Sequence, residues 1–221
     1  AGACAARGVR AEGFEEGLAS GDVVYAVDYL TEQTRALLEG REPAISAAGK
    51  DVVVIGGGDT GNDCMGTAVR QGARTVRQLE YGPCAPEQRA ASNAWPEWPN
   101  VKKTDYGQEE AIALQGDDLR EWCADTQRVL LDSDGRVRGL QVHSLDWSAG
   151  KPSAVEGSER EIDAQLVLVA CGFAGPERGV FDALGVPVAT AGCPLPVMEG
   201  GATGAAAATH RAELAEGAAA A

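Results

Sequence analysis

The fold is decided by the stretch Asp51-Val52-Val53-Val54-Ile55-Gly56-Gly57-Gly58-Asp59-Thr60-Gly61. Its first half is a short β-branched apolar run, which is typical of a parallel strand that is buried on both faces. Its second half is a G-x-G-x-x-G turn. Helical spacing of apolar residues follows over 62–71, and a second strand is predicted over 75–80. Strand, glycine turn, helix and strand within about 30 residues make a βαβ unit, so the sequence predicts an α/β fold.

Each glycine of the turn has a predicted role in binding a dinucleotide. Gly56 permits the tight turn, Gly58 lets the backbone approach a pyrophosphate, and Gly61 lets the helix pack near the strand. The pyrophosphate would lie at a helix N-terminus, where unpaired N–H groups favour an anion. Asp59 is predicted as the helix N-cap and Thr60 as a hydroxyl donor to phosphate. The predicted cofactor-binding residues of the turn are Gly56, Gly57, Gly58, Asp59, Thr60 and Gly61.

Glu80 lies 19 residues after Gly61, at the end of the second predicted strand. A carboxylate at this position accepts a hydrogen bond from an adenosine-ribose 2′-OH and repels a 2′-phosphate. Arg77 lies within the strand, and residues 81–83 supply no cation, so the sequence favours NADH over NADPH. Two alternatives stay open at this point, a solvated strand-end charge at Glu80 and a structural glycine turn without a ligand.

A long proline-containing loop is predicted over 81–99, a short helix over 109–114, and a β-meander after them. The segments 128–131 and 137–147 have strand character, and Asp132-Ser133-Asp134-Gly135 between them is a strong hairpin signal. Residues 159–164 supply a third strand. The prediction is therefore a Rossmann-like three-layer nucleotide-binding domain with a β-meander.

One more buried strand is predicted over 165–170, and it ends in Ala170-Cys171-Gly172. A strand that ends in small-x-Gly is typical of the segment that returns the chain to a flavin domain in two-dinucleotide oxidoreductases. Gly172 would let the strand end pass close to the cofactor, and we include it among the predicted cofactor-binding residues.

Composition and charge exclude several other functions. The chain has 221 residues and a formal net charge of −14, which argues against a nucleic-acid partner. No apolar run is long enough to span a bilayer. The six cysteines form no C-x-x-C pair, which predicts free thiols and neither zinc nor iron–sulfur ligation within the chain. His143 and His210 have no candidate nucleophile beside them, so no catalytic residue is predicted. That absence suits hydride transfer, in which the cofactors carry the chemistry.

Four strings carry a family resemblance: Val53-Val54-Ile55-Gly56-Gly57-Gly58-Asp59-Thr60-Gly61-Asn62-Asp63-Cys64, Asn93-Ala94-Trp95-Pro96-Glu97-Trp98-Pro99, Asp105-Tyr106-Gly107-Gln108-Glu109-Glu110-Ala111 and Ala170-Cys171-Gly172-Phe173-Ala174-Gly175-Pro176-Glu177. With these strings the chain resembles the small (beta) subunit of glutamate synthase, or the corresponding C-terminal region of NADH-dependent glutamate synthase. The tryptophan–proline string and the Asp-Tyr-Gly-Gln string are more discriminating than the glycine turn.

The resemblance implies an electron path and a set of partners. NADH would pass a hydride to FAD in the complete protein, and iron–sulfur clusters and FMN elsewhere in the complex would carry the electrons to glutamate synthesis from glutamine and 2-oxoglutarate. The implied partners are the large-subunit region of glutamate synthase and the missing FAD-domain halves. The resemblance is compatible with the cytoplasm or a plastid and does not decide between them.

The resemblance also implies a domain order. Residues 1–45 would end the first half of an FAD-binding domain, 46–173 would form the NAD(P)-binding domain, and 174–221 would be a remnant of the second FAD half with an Ala/Gly-rich tail. The FAD-binding glycine motif and the cluster cysteines of the family are absent, and Ala191-Gly192-Cys193-Pro194 lacks the Asp of the family's second FAD motif. We therefore expect a portion of an NAD(P)H-dependent oxidoreductase that is not active alone.

Two other interpretations stay open. The chain could be a non-catalytic nucleotide-binding fragment, or it could belong to a related FAD/NAD(P)-dependent reductase. The loop Asn93–Pro99 argues against the second, because generic hydride transfer does not require it. We hypothesise that this loop contacts the partner subunit or the next domain.

Overall fold

A computed structural model describes residues 6–175 and 177–188. The chain divides into two compact units. Arg7–Trp147 and Pro152–Gly172 form the first unit, which contains the predicted βαβ unit and the meander. The described part of the second unit comprises residues 6, 148–151, 173–175 and 177–188.

The first unit contains three kinds of structure: a parallel sheet, helices and an antiparallel sheet. Its elements in chain order are α1 (Phe14–Ser20), β1 (Val23–Tyr25), α2 (Ala26–Glu39), β2 (Asp51–Ile55), α3 (Asp59–Arg70), β3 (Thr75–Leu79), α4 (Tyr106–Gln115), β4 (Arg120–Glu121), β5 (Ala124–Leu131), β6 (Val137–Asp146), β7 (Ser153–Ala154), β8 (Arg160–Asp163) and β9 (Leu166–Val169).

The parallel sheet has the strand order β1-β9-β2-β3-β4. The central strand β2 pairs with β3 on one side and with β9 on the other, and Val53 lies opposite both Arg77 and Val167. The carboxyl ends of the three strands therefore meet at one edge of the sheet. Ligands of open α/β sheets bind at this edge, where neighbouring connections leave the sheet in opposite directions.

Both faces of the sheet are buried, which explains why β2 and β9 are continuous apolar runs. Val52 and Val54 pack into a core with α2 and α3, whereas Val53 packs into a second core with the meander. In β9, Leu168 joins the helix-side core and Val167 the meander-side core. Successive residues of each strand thus pack against opposite layers.

The meander covers the second face of the sheet. β6 pairs in antiparallel fashion with β5 and with β8, and β7 pairs with its far end. The hairpin between β5 and β6 closes as predicted. Gly135 has a φ of 74°, and the Asp132 carboxylate accepts hydrogen bonds of 2.9 Å from the backbone N–H groups of Asp134 and Arg136.

The predicted fold class is confirmed: helices, a parallel sheet and a β-meander form three layers. β1 is an edge strand of the same sheet, so the unit includes a strand from the segment 1–45. The assignment of the terminal segments to an FAD-binding domain stays a prediction.

The described part of the second unit contains one helix, α5 (Arg178–Leu184), and an antiparallel bridge from Ala6 to Phe173. Several sequence-based predictions lie outside the described residues: Ala191–Pro194, His210 and the Ala/Gly-rich tail. Within the described ranges, no helix has both the length and the apolar character that a membrane crossing requires.

Candidate functional site

The glycine turn joins β2 to α3 at the carboxyl edge of the sheet, and two of its glycines are required by the fold itself. Gly56 has a φ of 111°, and a Cβ there would collide with the carbonyl oxygen of Ala170. A Cβ on Gly61 would collide with the carbonyl oxygen of Gly56. The turn therefore lies against the end of β9, and α3 begins directly over it.

Gly58 differs from these two glycines because a Cβ there would meet no protein atom within 4 Å. It has ordinary extended geometry, with φ −75° and ψ −178°, and it is the N-cap of α3. The predicted N-cap Asp59 was therefore wrong by one position: Asp59 is the first helical residue, and no side chain caps the helix. The first intrahelical bond runs from Asn62 N–H to Gly58 O at 3.1 Å. The N–H groups of residues 59–61 are thus left without intrahelical acceptors.

Glu80 follows β3, and its carboxylate lies against Gly57. A Cβ on Gly57 would overlap the Glu80 carboxylate. The backbone of Glu80 is fixed from both sides, because its N–H donates to Glu121 O at 2.7 Å and its carbonyl accepts from Ala124 N–H at 2.9 Å. Burial raises the pKa of the Glu80 carboxyl above its usual range, and the Arg120 guanidinium acts in the opposite direction.

A cavity of about 270 Å³ opens beside the glycine turn. The predicted residues Gly57, Gly58, Asp59 and Glu80 line it. Gly56, Thr60, Gly61 and Gly172 are not among its lining residues. The structure thus brings Glu80 and the exposed part of the turn together at one cavity. Gly56 and Gly61 do not line the cavity and instead allow the close backbone contacts of the turn.

Sequence reasoning missed the far side of this cavity, which Lys102, Lys103, Arg120 and Trp122 line. Lys102 and Lys103 come from the loop before α4, Arg120 comes from β4 of the parallel sheet, and Trp122 lies between β4 and β5. Lys102-Lys103 was visible as an adjacent basic pair in an acidic chain, but no local pattern indicates which cavity a long loop will border.

The ammonium group of Lys102 lies 5.4 Å from the Trp122 ring centroid, and that of Lys103 lies 5.2 Å from the Trp98 ring centroid. Arg120 is fixed more firmly. It donates to Asp118 Oδ1 at 2.8 Å, to the Lys103 carbonyl at 2.8 Å and to Thr104 Oγ1 at 2.9 Å.

A buried polar network supports the turn from the helix side. Gln78 Nε2 donates to Gly56 O at 2.9 Å, and Gln108 Nε2 donates to Gln78 Oε1 at 3.1 Å. Asn62 Oδ1 accepts the backbone N–H groups of Gly107 and Gln108, at 3.0 and 3.1 Å. The glycine turn is thus linked through three buried side chains to α4.

This network explains the residues over 105–111, which form one of the four strings that carry the family resemblance. Asp105 caps α4 in a capping box with Gln108. A Cβ on Gly107 would collide with the carbonyl oxygen of Asn62, so only glycine fits where α4 crosses α3. Tyr106 donates to Asp63 Oδ1 at 2.7 Å. The string therefore holds α4 onto the helix that carries the site.

A second cavity, of about 560 Å³, lies at the ends of β2, β3 and β9 and shares Gly57 and Glu80 with the first. Ala170 and Cys171 line it, together with Asp125 and Thr126 from the meander. Gly172 follows with a φ of 78° and is exposed. Gly57 and Glu80 therefore border both cavities.

No nucleophile–base pair is evident in either cavity. The buried His143 lies in β6 with Nε2 3.7 Å from Asp125 Oδ2, and Asp125 is the residue of this pair that borders the second cavity. Among residues 6–175 and 177–188, no group of three His, Cys, Asp or Glu side chains could hold a metal ion. The four cysteines in those ranges, Cys64, Cys84, Cys123 and Cys171, are free thiols.

The fold is the Rossmann-like α/β fold that FAD- and NAD(P)-dependent reductases share. The chain resembles the Mycobacterium tuberculosis oxidoreductase FprA with a TM-score of 0.51 at 16% identity, over 92% of this chain and 54% of that one. It resembles thioredoxin reductase from Streptococcus pyogenes with a TM-score of 0.50 at 17% identity, over 87% and 49%. At these identities the similarity concerns the fold alone.

Sequence comparison identifies the particular relatives. The chain is homologous to the glutamate synthase small chain and to a region of NADH glutamate synthase, and the predicted resemblance is thereby confirmed. It is 41% identical over 179 residues to the Bacillus subtilis "Glutamate synthase [NADPH] small chain" and 43% identical over 162 residues to the Schizosaccharomyces pombe "Glutamate synthase [NADH]".

The matched regions cover 77% and 70% of this chain, but only 36% of the bacterial relative and 8% of the yeast relative. The chain therefore spans about a third of the bacterial small chain and less than a tenth of the yeast enzyme. No protein-family model matches it.

Proposed function

We propose that this chain binds NADH across the glycine turn and is the electron-input portion of a glutamate synthase. The observation that carries the proposal is the Glu80 carboxylate against Gly57, beside the uncapped N-terminus of α3. In this arrangement the free N–H groups of the first helical turn hold the pyrophosphate, and Thr60 adds its hydroxyl. Glu80 accepts the hydrogen bond from the adenosine-ribose 2′-OH.

When bound, NADH supplies a hydride, which in the complete protein reduces FAD and, through iron–sulfur clusters and FMN elsewhere in the complex, supports glutamate synthesis from glutamine and 2-oxoglutarate. The residues of this chain bind and orient the nucleotide, and Gly172 gives the end of β9 the conformation that lets it pass close to the cofactor. No side chain here takes or gives a proton in the proposal, because the cofactors carry the chemistry.

The proposal includes partners that complete the reaction. The name "small chain" of several relatives supports a large-subunit region as one partner. The two FAD-domain halves are further proposed partners, and the chain alone is then not active. The compartment, cytoplasm or plastid, stays a prediction.

Exposed tryptophans support the loop Asn93–Pro99 as the surface that meets the large-subunit region. Trp95 and Trp98 are 83% and 79% exposed. The loop is nevertheless ordered from within: Asn93 Nδ2 donates to Glu97 Oε2 at 2.9 Å, and Arg89 donates to the Glu97 carbonyl at 2.7 Å. Rigid aromatic side chains on a braced loop are typical of residues that dominate protein interfaces.

A side-by-side titration of the purified chain with NADH and NADPH, with its absorbance spectrum checked for flavin, tests the proposal. Tight NADH binding without flavin absorbance is expected. Binding of neither nucleotide would contradict the proposed function. Its relationship to glutamate synthase would then describe the ancestry of the chain and not its activity.

A further inference from the structure

A continuous line of buried hydrogen bonds runs from Arg120 to the carbonyl group of Gly56 in the glycine turn. The Arg120 guanidinium donates to Gln108 Oε1 at 3.2 Å. Gln108 Nε2 donates to Gln78 Oε1 at 3.1 Å, and Gln78 Nε2 donates to Gly56 O at 2.9 Å. Arg120, Gln108 and Gln78 are 7%, 6% and 0% exposed, so water hardly competes for these bonds. We call these three side chains the amide relay.

The two ends of the amide relay allow only one orientation of its two amide groups. A guanidinium can only donate a hydrogen bond, and a backbone carbonyl can only accept one. Gln108 Oε1 is held a second time, by the backbone N–H of Asp105 at 2.8 Å, so its Nε2 must face Gln78. Gln78 then presents its oxygen to Gln108 and its Nε2 to Gly56. Turning either amide over would bring two acceptors or two donors face to face.

The amide relay thereby fixes the direction of the peptide group between Gly56 and Gly57. This peptide is trans, so its N–H points opposite to its C=O. Because Gly56 O faces the buried Gln78, the Gly57 N–H points away from the amide relay. No group in the described part of the chain accepts a hydrogen bond from this N–H, and Gly57 borders both cavities.

We propose that the amide relay is a set of positioning residues that aims the Gly57 N–H at the pyrophosphate of the bound nucleotide. This inference rests on the proposed function and adds residues that act through the glycine turn without contacting the ligand. Arg120 sets the polarity, and Gln108 and Gln78 transmit it to the Gly56 carbonyl.

Arg120 lines the first cavity, but its donors are already in use. A guanidinium has five N–H donors. Two of those of Arg120 go to the Asp118 carboxylate, and one each goes to the Lys103 carbonyl, to Thr104 Oγ1 and to Gln108 Oε1. A ligand could gain a hydrogen bond from Arg120 only at the expense of an internal one. Its contribution to binding is therefore indirect.

The variant Gln108→Glu reverses the polarity of the amide relay and keeps its shape. A carboxylate has no donor for Gln78. Gln78 must then turn its Nε2 towards residue 108 and its oxygen towards Gly56 O, which repels it. The dissociation constant for NADH, measured on the whole chain where each variant is fully folded, should rise by about tenfold or more. The amide resonance of Gly57 should move in nitrogen–proton correlation spectra recorded without nucleotide.

Gln115→Glu is the matched control, because it makes the same change on the same helix. Gln115 Oε1 accepts the backbone N–H of Val76, and its Nε2 has no hydrogen-bond partner in the described part of the chain. The substitution keeps the acceptor and removes no hydrogen bond. It should change the dissociation constant for NADH by less than about twofold.

A double-mutant cycle shows whether Gln108 acts through Gln78. Gln78→Met alone removes the donor to Gly56 O and should weaken NADH by about fivefold or more. In the Gln78→Met background, Gln108→Glu should add less than about twofold, because no amide remains to turn over. If Gln108→Glu does not fold, Gln78→Met and its Gly57 resonance decide the question.

A conservative pair of variants tests Arg120 itself. Arg120→Lys keeps a cation that can only donate, whereas Arg120→Met has no donor. Both lose hydrogen bonds to the surrounding loop. Arg120→Met should weaken NADH at least about threefold more than Arg120→Lys and should displace the Gly57 resonance further.

Unchanged NADH affinity in Gln108→Glu and Gln78→Met would overturn the inference. Additive losses in the double variant, or equal affinities of the two Arg120 variants, would overturn it as well. Failure of the chain without substitutions to bind NADH would instead contradict the proposed function. The Gly57 resonance is recorded without nucleotide, so it still shows whether the amide relay orients the turn.

Discussion

Glu80 is the residue at which stability and the proposed function oppose each other. Its carboxylate is half-buried beside Gly57, and desolvation raises its pKa above the usual value. An acid whose pKa is higher in the folded state than in the unfolded state costs stability once it ionises. The cost is absent below the unfolded pKa and develops as the pH rises through the folded pKa.

We therefore predict that Glu80→Gln raises the thermal midpoint at pH 7.5 and leaves it unchanged near pH 3. At pH 7.5 the midpoint should rise by about 2–4 °C for each kcal/mol of cost removed. Thermal unfolding followed by circular dichroism at the two pH values measures this difference. An equal gain at both values would mean that the carboxylate charge is not the cause.

The sequence identified several of these residues and missed others for a physical reason. Gly56, Gly61 and Glu80 have fixed positions relative to a strand end, so their spacing predicts where they lie. Lys102 and Trp122 reach the cavity through a long loop and through the connection between β4 and β5, and neither route has a periodicity that places a side chain. Whether the predicted residues bind a cofactor stays a prediction.

At the scale of elements, the interface between α3 and α4 holds the glycine turn in place. Asn62 is buried and accepts two backbone N–H groups of α4, whereas Arg70 and Glu110 form an exposed ion pair at the same interface. These two polar contacts differ in burial, and they should therefore differ in what their loss costs.

We predict that Asn62→Ala destabilises the chain by about 2–4 kcal/mol, because it leaves two buried donors without an acceptor. Arg70→Ala, the matched control on the same helix, should cost less than about 1 kcal/mol. Urea unfolding of both variants tests the difference. Similar losses would show that the Asn62 contacts do not support the helix pair.

The apolar spacing placed the starts of α3 and α4 too late, at 62 and 109 instead of Asp59 and Tyr106. Their first turns contain Gly61 and Gly107, which have low intrinsic helix propensity. Both glycines are instead required by close packing, against Gly56 O and Asn62 O. The apolar spacing alone could not predict these starts, because tertiary contacts place a glycine in each first turn, although the Asp105–Gln108 capping box is a local signal for the start of α4.

For the first unit as a whole, the order of layers could be predicted because burial on both faces leaves a continuous apolar strand. The Asp132–Gly135 turn likewise determined the hairpin, since its residues favour a tight turn. The strand order could not be predicted in the same way. β1 joins the sheet through three residues only, and a strand this short has no distinctive pattern.

In the complete enzyme, Trp95 and Trp98 are predicted to contact the large chain. Replacing both with serine should weaken binding to a glutamate synthase large chain by at least tenfold, because interface tryptophans often contribute 2 kcal/mol or more. The control Leu37→Ser with Leu38→Ser removes another exposed apolar pair, 75% and 82% exposed on α2. Surface plasmon resonance measures both. Equal affinity of the two double variants would contradict the assignment of this loop.

The central claim, that a dinucleotide pyrophosphate lies on the N-terminus of α3, is tested most directly by Gly58→Ser. A Cβ at this position meets no protein atom within 4 Å, and serine is a favourable N-cap, so the thermal midpoint should stay the same or rise slightly. The same side chain would occupy the space of the pyrophosphate and take up the N–H groups that bind it. The account predicts unchanged stability with NADH affinity reduced at least about tenfold. A dissociation constant for NADH within twofold of that of the chain without the substitution, at equal stability, would contradict it.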